Sequence, residues 1–389
     1  MDQLVAALRA EARNAPESGI VEVINYGRDR EGLIPLWAGE GDLPTPQFIC
    51  DAATRSLAAG ETFYTYQRGI PELRQALAGY HKKHFGRDLP AERFFVTGSG
   101  MQAMQIAVAA VAGAGAEVII PEPAWPNIAA ASEISGARAV RLPFSVGNNG
   151  WYLDVEQLEN ALTERTRAIF INTPGNPTGW VADHDTLKAV LDLARKRGLW
   201  IIADEVYSRF YWGDATRAPS FYDIAEEDDQ ILYINTMSKN WAMTGWRVGW
   251  LSAPPVLGQV IENLIQYSTS GVAAFMQRAA VAAIEQGEEF VEHQIAIARR
   301  GRDIVCDALA ETKRARLVKP EGAFYLFFAV DGEPDTNKLG LKLVDEANVG
   351  LAPGTAFGES GQGYLRLCYC RSADSLTEAT ERLVTWLNR

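Results

Sequence analysis

The sequence predicts an α/β protein in which a mostly parallel central sheet is covered by helices, with a smaller α+β domain beside it. Short, nearly continuous apolar runs alternate with helical patterns through the middle of the chain, as in parallel sheets that are buried on both faces. The clearest runs span residues 93–97, 116–120, 168–171, 199–203, 231–234 and 248–251. Polar or aromatic side chains follow several of these runs, where the ligand sites of such sheets lie.

The tail of the chain has a different pattern. A long helical pattern runs from Met276 through Arg300, strand-like runs follow at residues 324–329 and 364–369, and an amphipathic helix ends at Leu387. We therefore expect a large α/β domain over residues 46–275 and a smaller α+β domain built from residues 1–45 and 276–389.

Composition and charge exclude several classes of protein. The 389 residues are 47% hydrophobic and carry a net charge of −12, so neither nucleic acid nor an anionic membrane would meet a basic surface. No apolar run is long enough for a membrane span, and the first residues do not resemble a secretion signal. The four cysteines are too scattered for a disulfide framework. We expect a cytoplasmic protein.

Four side chains are predicted to meet at one edge of the sheet. Trp125, Asn176, Asp204 and Lys239 each follow an apolar run. Because ligands bind beyond the carboxyl ends of the strands in open α/β sheets, these residues indicate a ligand site.

The segment around Lys239 indicates the chemistry of that ligand. Thr236 and Ser238 precede the lysine, and Arg247 follows it by eight residues. Two hydroxyls and a guanidinium can hold a phosphate dianion, and a lysine beside it can attack an aldehyde on the same molecule. Pyridoxal 5′-phosphate (PLP) carries both groups. The alternative is a surface lysine in a helix-turn segment.

Asp204, Tyr207 and Asn176 suit the ring of this cofactor. A carboxylate at the end of an apolar strand is costly unless it is paired, and a protonated pyridine nitrogen would pair it. Tyr207 and Asn176 could donate hydrogen bonds to the phenolate oxygen of the ring. By pattern alone, Asp204 could equally be a helix N-cap, and Asn176 could belong to an ordinary turn-rich loop.

Two further side chains have less specific patterns. Trp125 could stack on the flat ring, although a core tryptophan fits the same segment. Arg366 lies in a strand of the tail domain, where a fork-shaped hydrogen-bonded pair with a substrate carboxylate would suit it.

Other motifs compete with this interpretation. Residues 97–103 form a glycine-rich turn suited to an anion, and they also match a dinucleotide fingerprint with Glu117 as its acidic residue. An NAD-dependent dehydrogenase would leave Lys239 and Asp204 without a role. His81 and His84 have one-turn spacing, but we expect them on an exposed helix face, and we expect no metal site.

Together these segments resemble the class I/II aminotransferases, the fold-type I PLP enzymes that include aspartate and aromatic aminotransferases. The resemblance runs from about Leu36 to Arg371. Its motifs are the Asn-Pro-x-Gly loop at Asn176, the Asp-x-x-Tyr strand end at Asp204 and the Ser-Lys…Arg segment at Lys239, in that order.

The resemblance implies a role for each matching residue. Lys239 is the Schiff-base lysine, Asp204 the pyridine partner, and Tyr207 completes the catalytic set. Asn176 and Tyr207 match the phenolate-oxygen donors and Trp125 the stacking ring. The phosphate site matches Gly100, Met101, Thr236, Ser238 and Arg247. Tyr64 matches a tyrosine that reaches the phosphate of the neighbouring subunit in a homodimer with shared sites. The substrate site matches Gly39, Asn176 and Arg366.

Three positions depart from the family pattern. The usual Gly-Glu-Pro-Asp reads Gly-Glu-Gly-Asp over residues 39–42, and Thr236 stands where Gly or Ser is preferred. Met101 occupies a position where several relatives have Lys, Ser or Thr. These differences concern substrate preference rather than cofactor binding.

The resemblance therefore implies a PLP-dependent aminotransferase that moves an amino group from an L-amino acid to a 2-oxo acid. β-Elimination or decarboxylation on the same scaffold would need nearly the same residues. A PLP-sensing domain of a transcription regulator is disfavoured, because only about 35 residues precede the first matched motif.

Overall fold

The computed structural model describes residues 3–147 and 150–389. Its strands are β1 Ile34–Pro35, β2 Phe94–Thr97, β3 Glu117–Glu122, β4 Arg138–Pro143, β5 Ser145–Gly147, β6 Gly150–Tyr152, β7 Thr166–Asn172, β8 Trp200–Asp204, β9 Ile231–Thr236, β10 Gly249–Ser252, β11 Ala315–Leu317, β12 Tyr325–Val330, β13 Val349–Gly350, β14 Ala352–Pro353 and β15 Tyr364–Cys368. Its α-helices are α1 Gln3–Ala6, α2 Ala10–Arg13, α3 Gly19–Gly27, α4 Gln47–Ala58, α5 Pro71–Phe85, α6 Gly100–Val111, α7 Asn127–Ile134, α8 Val155–Ala161, α9 His184–Arg197, α10 Gly258–Gln266, α11 Ala274–Gln286, α12 Glu288–Ala310, α13 Thr336–Glu346 and α14 Ala373–Leu387.

The central sheet has seven strands in the order β2-β10-β9-β8-β7-β3-β4. All neighbours are parallel except β10, which runs antiparallel to both β2 and β9. The prediction of a mostly parallel α/β sheet is confirmed. The β4 strand was not among the predicted runs, and the direction of β10 could not be read from its apolar residues.

The sheet is buried on both faces, and successive residues of one strand point to different cores. Phe95, Ile120 and Ile202 pack with α6 and α7 on one face. Their neighbours Ile119 and Ile201 pack with α5 and α9 on the other. This double burial explains why the strands read as apolar runs rather than as alternating patterns.

The tail forms an antiparallel sheet in the order β11-β12-β15-β14. The N-terminal segment pairs with the tail in a separate two-stranded sheet, in which β1 runs parallel to β13. The division into domains at residues 45 and 275 stays a prediction. None of the helices in the described ranges is both long and apolar enough to span a membrane.

One expected helix is two helices. The pattern from Met276 to Arg300 is interrupted at Gly287, between α11 and α12. A side chain at this position would come within 2.3 Å of the Ala283 carbonyl oxygen and 2.8 Å of the Trp241 ring. The break therefore lets the backbone pass close to Trp241.

The prediction of an exposed His81–His84 face is wrong. His81 is fully buried and packs against Phe85 and Phe94, and the His84 side chain contacts Arg209 and Glu288. The reason is the apolar stripe of α5, which turns His81 toward the core. Burial lowers the pKa of His81 to about 3 and that of His84 to about 4.

Candidate active site

A pocket of about 350 Å³ opens at the carboxyl edge of the central sheet. The strand ends of β7, β8 and β9 form its floor, the start of α6 forms one side, and residues near β1, β12 and β15 close it from above. The structure brings twelve of the thirteen predicted site residues into its lining: Gly39, Gly100, Met101, Trp125, Asn176, Asp204, Tyr207, Thr236, Ser238, Lys239, Arg247 and Arg366.

Lys239 lies just beyond β9, with its amine inside the pocket. Its Nζ donates a hydrogen bond of 2.7 Å to the Gly39 carbonyl oxygen. The amide of Gln294, on α12, fixes the backbone by donating to the carbonyl oxygens of Lys239 and Asn240. Burial lowers the pKa of Lys239 to about 8, so its neutral, nucleophilic form is accessible near physiological pH.

Asp204 ends β8 and is buried at the bottom of the pocket. Its Oδ1 accepts one long hydrogen bond, of 3.4 Å, from the backbone of Val206. Among the described residues, no cation lies within 4.0 Å of the carboxylate. Burial raises the pKa of Asp204 to about 7, although Lys239 acts in the opposite direction. A cationic group in the pocket would give this carboxylate the partner that it lacks. The alternative role of Asp204 as a helix N-cap is wrong, because a turn rather than an α-helix follows it.

Tyr207 is joined to a residue that sequence reasoning missed. The hydroxyls of Tyr207 and Tyr325 lie 2.8 Å apart, and both rings are buried. Tyr325 begins β12, whose continuous apolar pattern gave no sign that one aromatic residue would present a hydroxyl to the site.

Asn176 is held in place by a second missed residue, Asn172. The side chain of Asn172 accepts a hydrogen bond of 2.8 Å from the Asn176 N–H and donates one of 3.1 Å to the Asp204 carbonyl oxygen. Asn172 therefore couples the loop after β7 to the end of β8. A second Asn four residues before Asn176 was the available signal in the sequence.

The start of α6 and the turn after β9 form a polar cup. Thr236 Oγ1 and Ser238 Oγ lie 2.9 Å apart, and the unpaired N–H groups at the start of α6 face the same pocket near Gly100. Arg247 also lines this cup, and its backbone adopts the left-handed conformation, with φ of 53°. The N-terminus of α6, the two hydroxyls and the guanidinium together suit the binding of an anion.

A glycine makes this cup possible. Gly249 lies so close to the start of α6 that a side chain there would come within 2.5 Å of the Gly100 nitrogen. Gly39 is constrained in the same way, because a side chain at that position would come within 2.4 Å of the Tyr325 hydroxyl.

Arg366, on β15, is buried in the wall opposite the sheet. Its Nη1 donates a hydrogen bond of 3.0 Å to Asn176 Oδ1, its Nη2 donates to the Trp37 carbonyl oxygen, and its Nε has no partner among the described residues. The guanidinium lies between the rings of Tyr325 and Phe357, 4.6 and 4.7 Å from their centroids. No acidic side chain of the described residues pairs with it, so it can take a carboxylate from a ligand.

Tyr64 does not line the pocket. Its side chain is 94% exposed in the loop before α5, next to Phe63, which is also exposed. The role that the resemblance implies for it requires a second copy of the chain.

The dinucleotide interpretation is wrong. Glu117 stands at the start of β3, so it lies at the edge of the sheet opposite the pocket. Its carboxylate is occupied by Arg165 and the Thr163 hydroxyl. The glycine-rich turn at residues 97–103 instead serves the polar cup.

The chain as a whole matches a known family. The model of the family described as "Aminotransferase class I and II" matches residues 31–383. The chain belongs to this family. It is an aminotransferase, and the family uses PLP. The prediction from sequence motifs is thereby confirmed.

Relatives match over almost their full length. An aspartate aminotransferase from Pyrococcus horikoshii is 35% identical over 94% of this chain and 93% of its own. An aromatic-amino-acid aminotransferase from Thermococcus litoralis is 34% identical over 94% of both. The crystal structure of an aspartate aminotransferase from Thermotoga maritima superposes with a TM-score of 0.92, at 33% identity, over 98% of this chain and 100% of that one.

Proposed function

We propose that the pocket binds PLP and that this chain transfers the amino group of an L-amino acid to a 2-oxo acid. The observation that carries the proposal is that one pocket contains both a partly buried lysine with a lowered pKa, Lys239, and a buried carboxylate without a cationic partner within 4.0 Å among the described residues, Asp204. When bound, the cofactor supplies an aldehyde that takes up the amino group and a ring that withdraws electrons from the substrate Cα.

The donors in the pocket fit this cofactor. The N–H groups of Gly100 and Met101, the hydroxyls of Thr236 and Ser238, and Arg247 would hold the phosphate. An anion there would also gain from the dipole of α6, whose twelve residues begin at Gly100.

Asp204 would hold a proton on the pyridine nitrogen. Burial desolvates its carboxylate more than the Val206 N–H and the Lys239 charge compensate, and a protonated nitrogen would supply a positive charge. Asn176 and Tyr207 would donate to the phenolate oxygen, and Trp125 and Val206 line the pocket where they can cover the two faces of the ring.

Lys239 would act as base and acid on the substrate. Its Nζ would remove the proton from the substrate Cα and deliver it to the cofactor carbon that carries the aldehyde, two atoms away across the nitrogen. A pKa of about 8 lies close to the operating pH, as acid–base catalysis requires. Gly39 keeps the lysine in reach, because its carbonyl oxygen accepts the hydrogen bond from Nζ.

Arg366 would bind the α-carboxylate of the substrate. Its Nε has no partner among the described residues and shares one edge of the planar guanidinium with Nη2, which now donates to the Trp37 carbonyl oxygen. The fixed fork would orient the amino acid so that its Cα faces Lys239.

We also propose that two copies of the chain share their active sites. Tyr64 lies outside the pocket of its own chain, and the residues next to it and at the end of α10 expose further aromatic side chains: Phe63, Tyr66 and Tyr267. Exposed aromatic clusters of this kind favour an interface. A cytoplasmic location completes the proposal, supported by four cysteines that are unpaired thiols.

The test of the activity is a panel of L-amino acids with a 2-oxo acid acceptor, read by formation of the second 2-oxo acid. We expect turnover by the wild type and none by Lys239→Ala. The control is Lys188→Ala, an exposed lysine on α9 that should not change turnover. Turnover by Lys239→Ala at the wild-type rate would overturn the proposal.

The test of the shared site is complementation between inactive chains. Lys239→Ala and Tyr64→Phe chains are mixed under conditions that allow exchange of subunits. Random exchange should restore about one quarter of the sites, because one site of each mixed dimer combines an intact lysine with an intact tyrosine. A mixture no more active than the average of its parents, or a fully active Tyr64→Phe parent, would contradict sharing through Tyr64.

A further inference from the structure

The charged side chains that line the pocket all have a task in the proposed reaction. Asp204 would pair with the ring nitrogen and Lys239 would transfer the proton. Arg247 would bind the phosphate and Arg366 the α-carboxylate of the substrate. Among the described residues, the pocket lining contains no further basic side chain. An acidic substrate side chain would therefore find no cation that is free to bind it.

Apolar side chains form part of the pocket lining that has no role in the proposed reaction. Ile20, from α3, lines the pocket and packs with the cluster around Val23. Met101 lies on the first turn of α6, and its sulfur accepts a hydrogen bond of 3.3 Å from the Asn127 amide. That amide N–H is thereby engaged with Met101.

The charge beside Thr244 is unfavourable for an acidic substrate side chain. Thr244 lines the pocket and donates a hydrogen bond of 2.7 Å to the carboxylate of Glu40. Glu40 is close enough to Lys239 to raise the pKa of that amine slightly against the larger effect of burial. A second carboxylate would be repelled here.

If a second copy of the chain placed its loops beside Tyr64 at this pocket, those loops would not add a positive charge for an acidic substrate. Residues 60–67 and 263–277 contain no Lys or Arg. Arg68, the first basic residue after Tyr64, is already paired with Glu262 at 2.6 Å. What these loops expose is aromatic, namely Phe63, Tyr66 and Tyr267.

From these observations we infer that the preferred amino donors carry an apolar side chain, aliphatic or aromatic, and that aspartate is a poor donor. The inference rests on the proposed function and names its substrate class. It separates this chain from those relatives that are named aspartate aminotransferases, since specificity follows the contacts to the side chain rather than the shared catalytic residues. Met101 and Ile20 are the residues that determine it.

Kinetics with leucine, phenylalanine and aspartate test the inference. We expect kcat/KM for the better apolar donor to exceed that for aspartate by about 10²-fold. Met101→Lys should raise kcat/KM for aspartate by at least about 10-fold and lower it for the apolar donors. The matched control is Val146→Lys, which adds the same charge on the exposed hairpin β5–β6 and should leave the ratio unchanged.

A binding measurement on the wild-type holoenzyme needs no variant and no turnover. Succinate resembles aspartate without its amino group, and 3-phenylpropionate resembles phenylalanine in the same way. Titration followed by the absorbance of the cofactor should give a lower Kd for 3-phenylpropionate. Tighter binding of succinate, or a kcat/KM for aspartate equal to that of the apolar donors, would overturn the inference and leave the proposed transamination intact. If no donor of any class gave a 2-oxo acid, the proposed function would fail and the inference with it.

Discussion

Arg366 and Asn176 are joined by a hydrogen bond of 3.0 Å from Nη1 to Oδ1. This contact links strand β15 to the loop after β7, so the residue proposed to bind the substrate carboxylate also touches a residue proposed to bind the cofactor. Binding of the substrate carboxylate at Arg366 can therefore affect the cofactor contact at Asn176, and the reverse.

The contact predicts the effect of Arg366→Lys. The ammonium of lysine keeps the charge but cannot form the two parallel hydrogen bonds of the fork. We expect KM for a good amino donor to rise by about 10²-fold, since one hydrogen bond to a charged group contributes about 1.5–3 kcal/mol. The absorbance of the bound cofactor should stay as in the wild type. Arg316→Lys, at an exposed position of β11, is the control, and an unchanged KM in Arg366→Lys would show that another group binds the carboxylate.

Asp204→Asn should retain the cofactor and lose most of its activity. The amide can no longer hold a proton on the ring nitrogen, so the ring becomes a weaker acceptor of electrons in the proton-abstraction step. We expect kcat to fall by at least about 10²-fold, which corresponds to about 3 kcal/mol of the barrier. Turnover near the wild-type rate would contradict the role of Asp204.

The same substitution should change the stability of the cofactor-free protein in a pH-dependent way. Burial raises the pKa of Asp204 from 3.8 to about 7, so between these values the folded protein binds more protons than the unfolded chain. The carboxylate therefore costs stability that grows as pH rises through this window. Urea unfolding should show Asp204→Asn to be more stable than the wild type at pH 8, by about 1–4 kcal/mol, with the gap closing toward pH 4. A gap that is constant with pH would contradict the raised pKa.

Ser99 predicts an order of stability at the start of α6. Its φ of 152° lies in a region that favours glycine, while its hydroxyl caps the helix by accepting a hydrogen bond of 3.1 Å from the Gln102 N–H. Ser99→Ala loses the cap and keeps the strain, so it should cost about 1 kcal/mol. Ser99→Gly relieves strain of about 1–3 kcal/mol and should be the more stable of the two variants. Unfolding midpoints in urea measure the order, and a less stable glycine variant would contradict it.

The sequence predicted the site better than it predicted the individual elements, and the reason is topological. Parallel strands place the residues after their carboxyl ends at one edge, so Asn176, Asp204 and Lys239 could be brought together without knowing the order of the strands. Arg366 was proposed as a carboxylate partner from its residue type and from the family resemblance, but its position opposite the sheet could not be predicted, because it depends on how β15 packs.

The misses have equally local causes. Tyr325 lies in a strand whose apolar pattern is the same whether or not its hydroxyl reaches the pocket. The burial of His81 depends on which face of α5 meets the sheet, and the direction of β10 depends on its neighbours. Such features depend on packing between segments that are distant in the sequence. The hydrophobic periodicity within one segment does not predict that packing.

Covalent mapping of the cofactor tests the central claim most directly. Wild-type holoenzyme is treated with borohydride, digested and analysed by mass spectrometry, with an unreduced sample as control. The account predicts one pyridoxyl group per chain, on Lys239, and no such group in Lys239→Ala. A pyridoxyl group on another lysine, or none at all in a protein that binds the cofactor, would contradict it.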